Sequence, residues 1–157
     1  MNALTSERVG ELVTEALERT AFVLVDTIEG DADDEFQPTM YSMIGFRGLA
    51  NGSVLLAADD DFAAELASSM LGVEPEDVDP STEGKDALNE LANIVGGSIM
   101  IDLGGEHENY EYGLPQSLTD EQLPEATEGM VKSLLQSEMG MLEVTWLPEV
   151  ASRSAAA

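Results

Sequence analysis

The sequence of 157 residues contains no cysteine and only one histidine. The lack of cysteine excludes disulfide scaffolds, thiolate zinc sites and cysteine nucleophiles. No run of about 18 apolar residues occurs, and the N-terminus lacks the basic-then-apolar layout of a secretory signal. We therefore expect a cytoplasmic protein that does not enter the membrane.

Positive charge is also scarce. Six Lys and Arg residues stand against 32 Asp and Glu residues, which gives a formal net charge of −26. The field of such a charge repels phosphate backbones and anionic lipids, so neither nucleic acid nor a membrane surface is an expected partner. The acidic excess indicates either a solvated surface suited to a salty environment or an acidic patch for a partner, and composition leaves both open.

Two acidic segments raise the question of a metal site. Asp31, Asp33 and Glu35 alternate as calcium ligands do, but an EF-hand loop needs glycine at its sixth position, where Phe36 stands. His107 lies among glutamates without the spacing of a metal site. We interpret both segments as solvated loops, and we expect the chain to bind no metal or cofactor of its own.

The apolar pattern predicts one core built from helices and strands, since 43% of the residues are hydrophobic. Helices are predicted from Thr5 or Ser6 to about Thr20, from Asp59 to Gly72, and from Pro80 or Ser81 to Gly104-Gly105. Strands are predicted over 21–28, over 40–58 with a hairpin turn at Asn51-Gly52, between Tyr110 and Leu118, and over 130–147 with a turn at Met139-Gly140. We expect an α+β two-layer sandwich with a largely antiparallel sheet and long helices on one face, in one domain over 1–150 with a disordered tail over 151–157.

The third predicted helix has two unlike faces. Apolar residues cluster on one side of it: Leu88, Leu91, Val95 and Ile99. The opposite side, within roughly 60° of arc, is the polar stripe: Asp86, Glu90, Asn93 and Gly97. Glycine costs about 1 kcal/mol relative to alanine inside a helix, so Gly96 and Gly97 indicate either the close approach of another molecule or a local packing need.

No self-contained catalytic motif is visible. Ser98 and Ser117 lack a nucleophile elbow, and the glycine pairs do not form a phosphate-binding loop followed by lysine. The stretch Asp86-Ala-Leu-Asn-Glu90-Leu-Ala-Asn93, however, fits the pattern of aspartate or serine, three residues, glutamate, two residues and asparagine. This pattern resembles that of the CheC/CheX/FliY family of bacterial chemotaxis phosphatases.

Flanking segments carry the same resemblance. The run Ile44-Gly-Phe-Arg-Gly-Leu-Ala-Asn-Gly-Ser-Val-Leu-Leu is similar to the family's first hairpin, Ala63-Ala-Glu-Leu-Ala-Ser-Ser-Met-Leu-Gly to its next helix, and Gly113-Leu-Pro-Gln to the segment after the motif. The resemblance covers about 40–147. The single motif and short length are more similar to CheX than to CheC.

The resemblance implies a phosphatase that acts on the phospho-aspartate of a CheY-like response regulator receiver domain. Glu90 would contact the receiver's active-site lysine, and Asn93 would enter the site and position the attacking water. Asp86 and Gly97 would belong to the partner-binding surface. The resemblance also implies magnesium supplied by the receiver and a homodimer of this chain. The alternatives are a non-catalytic module of the same fold that binds a receiver, and a component of a motor or sensory assembly.

Overall fold

A computed structural model describes residues 4–28, 36–48, 51–104 and 111–149. The predictions for the acidic loop at 29–35, for His107 and for the tail at 151–157 lie outside these residues. The described helices are α1 (Ser6–Ala21), α2 (Asp60–Leu71) and α3 (Lys85–Asp102). The described strands are β1 (Asp26–Ile28), β2 (Met40–Arg47), β3 (Gly52–Ala58), β4 (Glu111–Tyr112), β5 (Gln116–Leu118), β6 (Val131–Gln136) and β7 (Met141–Pro148).

The strands form one antiparallel sheet in the order β1-β6-β7-β3-β2-β4, and β5 also pairs with β2. Helix α1 packs against β6, and α3 packs against β2 and β3. The predicted α+β sandwich is therefore confirmed. Within the described ranges, no helix has the length and apolar character needed to cross a bilayer.

Cap residues set where the first two helices begin, and where α2 ends, at the positions that the sequence predicts. The Thr5 side chain caps α1 by accepting a hydrogen bond from the Arg8 N–H at 3.0 Å. The Asp59 carboxylate caps α2 by accepting from the Phe62 N–H at 2.8 Å. Gly72 ends α2 in the left-handed conformation, at φ 72°, which glycine adopts without strain.

A five-residue π-helical turn, Pro80–Gly84, leads into α3. The Asp79 carboxylate accepts hydrogen bonds from the Ser81 N–H at 2.9 Å and the Ser81 hydroxyl at 2.7 Å, and these bonds lower the pKa of Asp79. Glu83 accepts from the Asp79 N–H at 2.9 Å, and that bond lowers the pKa of Glu83. Two ionised side chains thus fix the start of the helix that carries the polar stripe.

The predicted strand over 21–28 is wrong over most of its length, because only Asp26–Ile28 pairs with β6. Phe22 lies in the left-handed region at φ 56° and its N–H bonds back to Leu17. Residues 22–25 therefore connect α1 to β1 instead of forming part of a strand. The left-handed cap that ends α1 therefore determines the structure of this segment, although its apolar pattern is also typical of a strand.

The hairpin predicted over 40–58 is confirmed by the antiparallel pairing of β2 with β3, but its predicted two-residue turn at Asn51-Gly52 is wrong. Gly52 already belongs to β3, where it pairs with Phe46 on one side and Pro148 on the other. A Cβ at this position would lie 2.5 Å from the Leu147 carbonyl oxygen and 2.7 Å from the Trp146 ring. The glycine is needed for close strand approach rather than for a turn.

Candidate functional site on helix α3

The two faces predicted for α3 are present in the structure. The apolar side chains are at most 1% exposed: Leu88, Leu91, Val95 and Ile99. On the opposite face, Asp86, Glu90 and Asn93 are exposed and Gly97 is half-buried. The structure therefore brings all four residues of the polar stripe to one accessible surface.

Helix geometry sets how a partner would meet this surface. Glu90 and Asn93 are three residues apart, which is about 4.5 Å along the axis and close to one turn. Gly97 follows Asn93 by one further turn on the same side. A partner whose surface lay along α3 would therefore contact the Glu90 carboxylate, the Asn93 carboxamide and the backbone at Gly97 at the same time.

The charge of the stripe is negative. Asp86 and Glu90 both contribute a carboxylate, and the one basic residue of α3 is Lys85 at its start. At the other end of the helix, Asp102 accepts from Arg8 Nε at 2.9 Å and from Nη2 at 2.6 Å, and this pairing raises the pKa of Arg8. The Arg8 guanidinium is thus paired with a carboxylate of the same chain. The stripe itself presents little positive charge to an anionic ligand.

The two adjacent glycines of α3 have different surroundings. A Cβ on Gly96 would lie 2.6 Å from Phe46 Cζ and 3.1 Å from Ile44 Cγ2, so this glycine lets α3 pack closely on β2. A Cβ on Gly97 would meet no atom within 4 Å among the described residues. The local packing explanation therefore applies to Gly96, whereas the space beside Gly97 is open toward the stripe.

Asn89 is a site residue that the sequence analysis missed. It lies half-buried at the border between the two faces of α3. The Ser42 hydroxyl on β2 donates to Asn89 Oδ1 at 2.5 Å, and Asn89 Nδ2 donates to the Ser117 hydroxyl on β5 at 3.2 Å. No sequence spacing links these three residues, because the contacts depend on how the helix lies across the sheet.

Two exposed apolar side chains, Tyr112 and Leu114, lie at the edge of the sheet next to β2. Tyr112 on β4 stacks edge-on against Phe46, with ring centroids 5.9 Å apart, and Phe46 in turn lies against Gly96. Leu114, in the break between β4 and β5, is 82% exposed.

Two concave surfaces lie away from the stripe. A groove of about 1330 Å³ runs between α1 and the β1–β6 edge, and a second of about 490 Å³ lies beside β4. No stripe residue lines either of them. In the part of the chain that the structure describes, no group of three or more His, Cys, Asp or Glu residues is arranged to hold a metal ion.

Comparison with protein families matches residues 40–137 to the family described as chemotaxis phosphatase CheX. That match spans α2 and α3 and strands β2 to β6. A sequence search of curated proteins gave no significant match.

Solved structures share the fold at low sequence identity. A chemotaxis protein CheX from Desulfovibrio desulfuricans aligns with TM-score 0.71 and 18% identity over 92% of this chain and 98% of that one. CheX from Vibrio vulnificus aligns with TM-score 0.72 and 19% identity over 90% and 96% of the two chains. The CheX–CheY–BeF3–Mg²⁺ complex from Borrelia burgdorferi aligns with TM-score 0.64 and 18% identity, over 95% of this chain and 100% of that one.

Proposed function

This chain belongs to the family of chemotaxis phosphatases described by CheX, and from that premise we propose that it hydrolyses the phospho-aspartate of a CheY-like receiver domain. The polar stripe on α3 is the surface that would dock. The observation that carries the proposal is the joint exposure of Glu90 and Asn93, one turn apart on a helix whose opposite face is buried.

The chemistry required is positioning of water. An aspartyl phosphate is an activated acyl phosphate, so its hydrolysis needs mainly a water held in line with the bond that breaks. The carboxamide of Asn93 can hydrogen-bond that water without adding negative charge beside the phosphoryl group. A carboxylate in its place would repel the phosphoryl oxygens.

The negative charge of the stripe supports a site completed by the partner. A protein that bound phosphate alone would present arginine, lysine or a helix N-terminus to it. Here the partner would supply the cations: we propose that Glu90 pairs with the active-site lysine of the receiver, and that magnesium is bound by the receiver. A likeness to the Borrelia burgdorferi protein, which was solved with CheY, BeF3 and Mg²⁺, supports a receiver as the partner.

Asp86 and Gly97 complete the proposed docking surface at its two ends. Asp86 is exposed one turn before Glu90 and would contact the rim of the receiver. Gly97 leaves open space where a Cβ would otherwise project, so the partner's backbone would approach α3 closely there. We also propose a homodimer formed through the sheet, which sedimentation of the purified protein tests.

The decisive experiment measures the decay of phosphorylated receivers with this protein at substoichiometric concentration. We expect faster decay with the wild-type protein, and a loss of about 100-fold or more in Asn93→Ala, because a misplaced water costs that much in rate. Gln136→Ala is the matched control, since it removes an exposed carboxamide from β6 on the far side of the sheet. Undiminished activity in folded Asn93→Ala protein contradicts the assignment.

The decay assay together with a measurement of receiver binding separates the alternatives. Saturable binding of the phosphorylated receiver without faster decay indicates a non-catalytic binding module. Activity or binding that is recovered only within a large assembly indicates a structural component of that assembly.

A further inference from the structure

The side chain of Asn89 connects α3 to two neighbouring strands, and we propose that it is a positioning residue for Asn93. Held by Ser42 and Ser117, it fixes the rotation of α3 about its own axis and so sets where the Asn93 carboxamide meets a docked receiver. This inference rests on the proposed function.

The placement of Asn89 on the helix supports this role. Asn89 and Asn93 are four residues apart, so they project about 40° from each other and lie about 6 Å apart along the axis. Glu90 is the next residue in the chain. A rolling movement of α3 that breaks the contacts of Asn89 therefore moves both proposed functional side chains.

The two hydrogen bonds act in different directions. Ser42 is fully buried in β2 beneath the helix, and its hydroxyl donates to Asn89 Oδ1. Ser117 lies on the neighbouring edge strand β5 and accepts from Asn89 Nδ2. Because hydrogen bonds require a defined angle as well as a distance, the pair restrains rotation of the helix.

The apolar contacts of α3 restrain it less specifically. Beyond Asn93, Gly96 lies against Phe46, which keeps the helix close to β2. Burial of apolar surface is non-directional and is retained when a helix rolls by a few degrees. The Asn89 bridge supplies the angular restraint that such packing lacks, at the turn before Asn93.

The test compares Ser42→Ala, Asn89→Ala and the double variant with the full wild-type chain. The probe is a receiver domain phosphorylated on its aspartate. Because Ser42 is 0% exposed, it cannot touch a docked receiver, and its effect must pass through the helix. Ser137→Ala is the matched control: it removes another buried serine hydroxyl, which lies in the β6–β7 turn and bonds Glu65 of α2 and the Gly140 carbonyl oxygen.

We expect Ser42→Ala and Asn89→Ala each to lower kcat about ten-fold, within the range that misplacement of a reacting group causes, while KM changes less than about two-fold. The double variant should lose no more than Asn89→Ala alone, because Asn89→Ala already removes the bond to Ser42. Ser117→Ala should lower kcat in the same direction, and Ser117→Thr, which keeps the hydroxyl at an exposed position, should restore it. Unchanged kcat in folded Ser42→Ala, or an equal loss in Ser137→Ala, overturns the inference.

A second measurement needs no enzymatic activity. The chain has no cysteine, so Asn93→Cys provides one attachment point for a nitroxide label. We expect the label to become more mobile when Ser42→Ala is added and to remain unchanged when Ser137→Ala is added. Unchanged mobility with Ser42→Ala refutes the positioning role. Absence of phosphatase activity in the wild-type protein refutes the proposed function instead, and the label then decides the structural claim by itself.

Discussion

Replacing each of the two glycines of α3 by alanine should change stability in opposite directions. Both substitutions gain about 1 kcal/mol of helix propensity. At Gly97 the new methyl group meets open space, so we expect Gly97→Ala to stabilise the fold by about 1 kcal/mol. At Gly96 the methyl group would lie 2.6 Å from Phe46 Cζ.

The cost at Gly96 follows from the surroundings of Phe46. This ring is 3% exposed and is flanked by Tyr112 and by Trp146, whose ring centroid lies 6.5 Å away. It therefore cannot move aside freely, and overpacking of this kind costs about 1–3 kcal/mol. Subtracting the helix gain leaves Gly96→Ala destabilised by about 1 kcal/mol.

The two variants should differ by about 2 kcal/mol, which corresponds to about 4–8 °C in Tm for a chain of this size. Thermal unfolding followed by circular dichroism measures the difference, and urea unfolding checks it. On the proposed function, the more stable Gly97→Ala should also have a higher KM for the phosphorylated receiver, because its methyl group stands in the docking surface. Equal Tm values would refute the packing argument, and an unchanged KM would refute the docking role of Gly97.

Three further predictions concern other contacts. Glu90→Ala should raise KM for the phosphorylated receiver with little effect on Tm, measured by decay at varied receiver concentration; an unchanged KM contradicts the docking role. Asp59→Ala should lower stability by about 2 kcal/mol in urea unfolding, because it leaves the N–H groups of Phe62 and Met141 without their carboxylate partner. The lowered pKa values of Asp79 and Glu83 mean that their hydrogen bonds contribute stability above the ordinary pKa values of 3.8 and 4.5, and that this contribution is lost as the pH falls through the lowered values. The protection factors of the amides at the start of α3, which are corrected for the intrinsic exchange rate at each pH, should therefore fall in that acid range, and unchanged protection factors there contradict the prediction.

The helices could be predicted from periodicity because a helix with one buried face has apolar residues at regular intervals in the sequence. The buried face of α3 and its exposed stripe were both evident from residues about 100° apart. The helix starts were predicted from cap residues, Thr5 or Ser6 for α1 and Asp59 for α2; in the structure Thr5 and Asp59 each accept a hydrogen bond from a backbone N–H three residues later. Local physical rules were therefore sufficient to predict most of the helical part of the fold.

Contacts between distant segments account for what the sequence did not reveal. Gly52 was interpreted as a turn residue because Asn-Gly favours turns, but its reason is the approach of β7, about 95 residues later in the chain. The Ser42–Asn89 bridge joins residues 47 positions apart and leaves no local pattern. Both depend on which strand lies beside which, and that order is set by the whole sheet.

The placement of Asn89 also explains why the motif alone is an incomplete description of the site. On the proposed function, Glu90 and Asn93 determine what the surface does, and these residues are visible as a spacing in the sequence. Their direction in space depends on Ser42, a buried residue of another element that no motif includes. A chain that kept the glutamate and asparagine but lost this bridge should still bind a receiver, because docking tolerates small rotations better than an in-line attack does. Such a chain should hydrolyse the phospho-aspartate of the receiver more slowly. Comparing kcat in Ser42→Ala with the affinity for a BeF3-loaded receiver therefore separates positioning for hydrolysis from docking. A parallel loss of kcat and affinity would show that the two are not separable.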